Sequence, residues 1–182
     1  MSSTYSSILD NLTPSLLQLE KLVTGSAYLI GVMFLIKGIM ALKHAGEGKS
    51  NASQGHLMKE PILYLTSGAM LIYFPSAMDM ILQTVYGSDE ILSYNALESG
   101  NPIVDALFGS SGLFGGSLVI FIQLIGLIAF VKGWVMLAKS ANQQGGGQQG
   151  GIGKAGMHIF GGILAINIVQ TINIINNTLY GL

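Results

Sequence analysis

Apolar residues fall in four long runs, 22–42, 62–86, 113–137 and 157–179, separated by polar or glycine-containing stretches. Each run is close to the roughly 20 residues that an α-helix needs to cross ~30 Å of hydrocarbon. The apolar positions are continuous rather than alternating, and a spanning helix satisfies its own backbone hydrogen bonds where no water can. The pattern therefore predicts an all-α membrane protein with four transmembrane helices, and argues against a β-barrel. Ahead of the first run, Ile8, Leu9, Leu12, Leu16, Leu17 and Leu19 keep near-helical spacing. Thr13 and Pro14 read as an N-cap and first-turn pair. Either the first helix extends outward here, or residues 1–21 form a separate interfacial helix lying on the membrane or a partner.

The runs repeat with a period of about 95 residues, which reads as a duplication rather than a short solenoid unit. Leu29-Ile30-Gly31 matches Leu124-Ile125-Gly126, and Lys37-Gly38 matches Lys132-Gly133. With the shift reduced by one, Gly68 matches Gly162, and Thr84-Val85-Tyr86-Gly87 matches Thr178-Leu179-Tyr180-Gly181. The predicted organisation is an N-terminal segment 1–21, a helical hairpin 22–87, a connection 88–111 and a second hairpin 112–182. A unit of two spans re-enters the membrane in the same direction, so the repeat is parallel. Transporters built on inverted repeats are a poor match.

Composition sharpens this picture: 50% of residues are hydrophobic and 9% are charged, far less charge than a soluble domain of this length carries. Lys37, Lys43, Lys49 and Lys59 flank the first hairpin loop, Lys132, Lys139 and Lys154 flank the second, and there is no arginine. By the positive-inside bias both loops face the cytoplasm. Both termini and the connection bearing Asp89, Glu90, Glu98 and Asp105 then face the opposite, periplasmic side. Because the first cation is Lys21 and the apolar run follows it, the first span is expected to act as an uncleaved insertion signal. Without cysteine there is no disulfide framework or thiol nucleophile.

Polar residues inside the runs are the candidates for function. Asn167, Gln170, Asn173 and Asn177 lie three or four apart, along one helical face. The repeat equates them with Tyr73, Ser76, Asp79 and Gln83. Such stripes are expected to avoid lipid, either bonding to neighbouring helices or lining an aqueous path in an assembly of subunits. Asp79 is the acid placed within a predicted span, near its outer end. Lys37 and Lys132 occupy equivalent positions just inside the cytoplasmic boundary, where they snorkel to headgroups or bind anionic lipid. Gly31 and Gly38, mirrored by Gly126 and Gly133, recur every seven residues and predict a close helix seam. Pro75 should kink the second span, and its absence from the fourth predicts that the two copies differ in shape.

Two glycine-lysine sequences fail as phosphate loops. Gly48-Lys49-Ser50 has Lys43 where the first glycine belongs, and Gly153-Lys154 is followed by Ala155. The glycine-glutamine tract 145–151 reads as a flexible linker. His44, His56 and His158 lack metal-ligand spacing. Neither a cofactor nor a catalytic arrangement is expected, and no basic patch suits nucleic acid.

The segment Leu57-Met58-Lys59-Glu60-Pro61-Ile62-Leu63-Tyr64, continuing through Met70-Leu71-Ile72-Tyr73-Phe74-Pro75, resembles the IcmC/DotE family of inner-membrane proteins. So does the stretch from Lys37-Gly38 through Leu42-Lys43 to Gly46-Glu47. The resemblance covers most of the first repeat and, more weakly, the second. It implies a multi-span component of type IVB (Dot/Icm) secretion or of related conjugation machines, without catalytic residues and partnered by other membrane subunits. Each hairpin is also similar in plan to the two-helix pilins of type IV secretion. A duplicated pilin-like subunit that polymerises into a filament is therefore the alternative.

Overall fold

In the computed structural model, which describes residues 2–47, 54–87, 115–142 and 151–180, every described element is a helix. In chain order these are α1 (Ser2–Gly46), α2 (Gln54–Ile72), α3 (Phe74–Tyr86), α4 (Gly115–Lys139), a 3-10 turn (Ser140–Asn142), α5 (Gly151–Ile166) and α6 (Ile168–Tyr180). The connection predicted at 88–111 and most of the glycine-glutamine tract lie outside the described residues.

Two helices are individually long and apolar enough to cross a membrane: Pro14–Gly46 within α1 and Leu118–Lys139 within α4. At roughly 1.5 Å per residue, the 33 residues of the first exceed the hydrocarbon thickness and extend past it. Here the expected N-cap at Thr13-Pro14 is corrected: α1 is continuous from Ser2, and Pro14 sits inside it, exposed. A proline leaves one carbonyl without its helical donor, and a solvent-facing or headgroup-facing site lets that group be satisfied from outside.

The other two apolar runs are helical but not straight. Met58–Ile72 and Phe74–Tyr86 meet at 89°, and Gly151–Ile166 and Ile168–Leu179 meet at 88°. If each bent pair counts as one broken span, the candidate spans number four. The breaks fall at Tyr73 and Asn167, two positions that the sequence repeat equates. The expectation that Pro75 would make the copies differ in shape is therefore overturned, since the copy without proline bends by the same amount. Pro75 occupies the first turn of α3, where its missing N–H breaks no helical bond of that turn. In the second copy a hydroxyl donates to one freed carbonyl, that of Leu164, as described below. Helix α3 ends at Gly87, whose φ of 73° is the left-handed conformation favoured by glycine, and whose N–H donates to the Gln83 carbonyl at 3.0 Å.

The described helices gather into two compact units, and each takes segments from both predicted hairpins. The first comprises Met1–Val23, Met78–Ile128 and Gly161–Leu182. Its interior holds Leu16, Met78, Leu82, Ile120, Leu124, Leu127 and Ile166, with Val119 and Val169 packed beside Ile168 and Ile172. The second comprises Thr24–Ala77 and Ala129–Phe160. Its interior is aromatic: Phe130 lies 5.6 Å from Phe74 and 6.1 Å from Trp134, ring centre to ring centre, and Phe34 lies 5.8 Å from Tyr64. Offset and edge-on pairs at these separations are favourable beyond the area they bury.

Candidate functional site

The glycines singled out in the sequence lie at close helix crossings. A Cβ on Gly31 would come within 2.9 Å of the Ile72 nitrogen and 3.0 Å of the Gly68 carbonyl oxygen, and one on Gly68 within 3.0 Å of the Gly31 oxygen. The two glycines thus face each other across the α1–α2 crossing. A Cβ on Gly38 would meet the Leu65 nitrogen at 3.1 Å. In the second hairpin the α4–α5 crossing places Gly133 against Ile159, with 2.8 Å to its nitrogen, and Gly126 against Ile166, with 2.7 Å. At Gly31, Gly68, Gly126 and Gly133 backbone atoms obstruct, so a side chain there requires the helices to separate, whereas at Gly38 the nearest atoms are those of the Leu65 side chain at 2.8 Å.

The two polar stripes share a sequence register but not an environment. In the first, Tyr73, Ser76 and Gln83 are exposed and Asp79 is half-buried, opposite the buried Phe74, Met78 and Leu82. That stripe points away from the packed interior. In the second, Asn167 is buried at the break, 3% exposed, while Gln170 and Asn173 are half-buried and Asn177 is exposed. The stripe of α6 is therefore graded, from an interior amide to a surface one.

Thr171 explains how α5 turns into α6 without proline. Its hydroxyl lies 2.8 Å from the Asn167 carbonyl oxygen and 3.0 Å from that of Leu164, carbonyls at and before the break. With its single proton directed to these oxygens, Thr171 accepts from the Tyr86 phenol at 2.7 Å. Sequence reasoning passed over Thr171 because its repeat equivalent is Ala77, so the pattern offers no signal there.

Buried polar groups missed from the sequence include Gln123 on α4, 1% exposed, and Asn176 on α6, 8% exposed. The signal for Gln123 was available: it is the one amide in the apolar run 113–137. Among the described residues, Ser67 Oγ, Gln123 Oε1, Trp134 Nε1 and Asn167 Nδ2 are buried without a hydrogen-bond partner. Asp79 is also not alone as an acid in an apolar helix, since Glu20 lies within Pro14–Gly46.

Lys37 and Lys132 are both exposed, on α1 and α4. Lys43 forms an exposed ion pair with Glu47 at 3.8 Å, one turn apart. His44 Nδ1 lies 2.7 Å from the Met40 carbonyl oxygen and His158 Nδ1 2.9 Å from that of Lys154, so each ring is tied to its own helix.

The surface is inverted relative to a water-soluble helical protein. Leu22, Leu29, Ile39, Met80, Met157, Phe160 and Leu179 are all more than three-fifths exposed. Polar Gln123, Asn167, Ser67, Ser140 and Asn176 are buried. Fold and site together define the class: an all-helical chain whose apolar helices suit a membrane and whose interior contains helix-crossing glycines and polar groups. In comparisons with known proteins, no family model, curated protein or solved structure matches the chain.

Proposed function

We propose that this chain is a non-enzymatic structural or channel-forming subunit of a type IVB secretion or conjugative transfer apparatus in a bacterial inner membrane. Its four spans form two like-oriented hairpins, with both termini periplasmic and the lysine-bearing loops cytoplasmic. It works by packing against other membrane subunits, without a cofactor. The family reading rests on the residue pattern around Lys37-Gly38 and 57–75. The observation that carries the subunit role is the uncovered face of α1: only 22% of its apolar window is buried, against 50% for that of α4. Leu22, Tyr28, Leu29, Met33, Ile36 and Ile39 remain exposed there. Such a face suits lipid and neighbouring helices, whereas a self-contained enzyme would present a concave site.

Gentle solubilisation followed by identification of co-migrating proteins tests the reading. The expected result is a large detergent-stable complex with other membrane subunits of the apparatus, and loss of transfer when the gene is deleted. A monodisperse single chain, with transfer intact in the deletion strain, would overturn it. Recovery in sheared extracellular filaments would instead establish the duplicated pilin. Single cysteines placed at Lys49 and Gln148 should react only from the cytoplasmic side. Labelling of either from the periplasm would reverse the topology.

A further inference from the structure

One cavity of the first unit brings together Glu20, half-buried on α1, and Gln123, fully buried on α4. The rest of its wall is Leu16, Ile120, Leu124, Leu127 and Ile166, and its volume of about 10 Å³ is that of a single water-sized occupant. The amide oxygen of Gln123 has no hydrogen-bond donor. Glu20, when ionised, offers two further acceptors and no proton. Among the described residues, the aliphatic side chains of the lining supply no donor to either. An orphaned buried acceptor is costly, and an ionised carboxylate lining the same pocket offers it no proton.

The charged groups around the cavity are few. From α4 and α5 the lining residues are uncharged, and on α1 the neighbouring cation is Lys21, exposed and one residue further round the helix. Among the described lining residues there is no side-chain cation. What the acceptor pair lacks is a positive charge small enough for the space.

We propose that Glu20 and Gln123 form a binding site for one small monovalent cation, held between the carboxyl group and the amide oxygen. A proton meets the requirement by making Glu20 a neutral acid whose O–H donates to Gln123 Oε1. A dehydrated Na⁺ meets it by direct coordination to both oxygens. The chemistry is shared, a hard cation on oxygen ligands, and the two are separable by experiment.

Infrared difference spectroscopy on the full chain in lipid, titrated with acid in sodium-free buffer, reads the site directly. At neutral pH a protonated-carboxyl stretching band is expected that is absent from Glu20→Gln. In Gln123→Met, which keeps the side-chain shape without the acceptor, that band should move to higher frequency. If added Na⁺, but not choline, then abolishes the band, the site accepts sodium. If Na⁺ leaves it unchanged, the site is a proton site. Absence of any band assignable to Glu20 at neutral pH overturns the proposal, because the carboxylate is then ionised with the amide turned to donate its N–H. A Glu20 band unaltered in Gln123→Met overturns it as well. Should Gln123→Met fail to fold, comparing the unmodified chain with Glu20→Gln still decides whether the carboxyl is neutral.

Discussion

The Tyr86 phenol and the Thr171 hydroxyl lie 2.7 Å apart, joining the last turn of α3 to the first turn of α6 across 85 positions of sequence. Thr171 spends its own proton on carbonyls at the α5–α6 break, so this contact is the end of a short relay: phenol to hydroxyl to backbone. Cutting it at the two ends should have unequal effects. Tyr86→Phe removes one hydrogen bond and should cost about 0.5–1 kcal/mol. Thr171→Val also strips the Leu164 carbonyl of its hydroxyl donor and should cost about 1–3 kcal/mol. Reversible unfolding in mixed micelles, with the double variant closing the cycle, measures both. Equal losses for the two variants would remove the carbonyl-capping role.

Gly68→Ala should destabilise the α1–α2 crossing by about 1–3 kcal/mol, because the new methyl would meet the Leu35 nitrogen at 2.9 Å and the Gly31 oxygen at 3.0 Å. Gly156→Ala on α5 meets nothing within 4 Å, and alanine is the better helix former. That change should be neutral or slightly stabilising in the same unfolding assay.

Ser67 and Ser140 are both buried, but only one hydroxyl is used. Ser140 Oγ donates to the Leu137 carbonyl at 2.6 Å, while Ser67 Oγ is without a partner. Ser140→Ala should cost about 1 kcal/mol, and Ser67→Ala should stabilise the protein or leave it unchanged. A loss for Ser67→Ala matching that of Ser140→Ala would show that Ser67 is hydrogen-bonded after all.

Because the chain contains no cysteine, single cysteines report each helix face without background. In lipid vesicles, a fluorophore at Leu29→Cys or Met157→Cys should be quenched strongly by brominated acyl chains, since both positions are largely exposed on apolar helices. Ala27→Cys and Ala155→Cys, fully buried, should label slowly and escape that quenching. Equal quenching at Leu29 and Ala27 would mean that α1 is not oriented as described.

Much of the fold was legible because the information is local. Helices in all four runs follow from uninterrupted apolar sequence, and the seam glycines Gly31, Gly38, Gly126 and Gly133 follow from spacing alone, since a missing side chain matters only where two backbones meet. The stripe residues were legible as a set, but their burial was not. Tyr73 and Asn167 hold the same register, yet one is exposed and the other is interior. Glu20 and Gln123 escaped notice as a pair because they are about a hundred residues apart in sequence.

By itself the sequence determined which segments are helical, how apolar they are, and where helices approach closely, for each of these is a transfer energy or a steric allowance belonging to a few neighbouring residues. Only the tertiary structure decided that two of the runs turn through nearly a right angle, and which polar atoms lie inside without partners. A bend depends on whether the carbonyls it frees find donors, and that of Leu164 finds one in the Thr171 hydroxyl. Whether a polar side chain is buried depends in turn on which distant helix is packed over it.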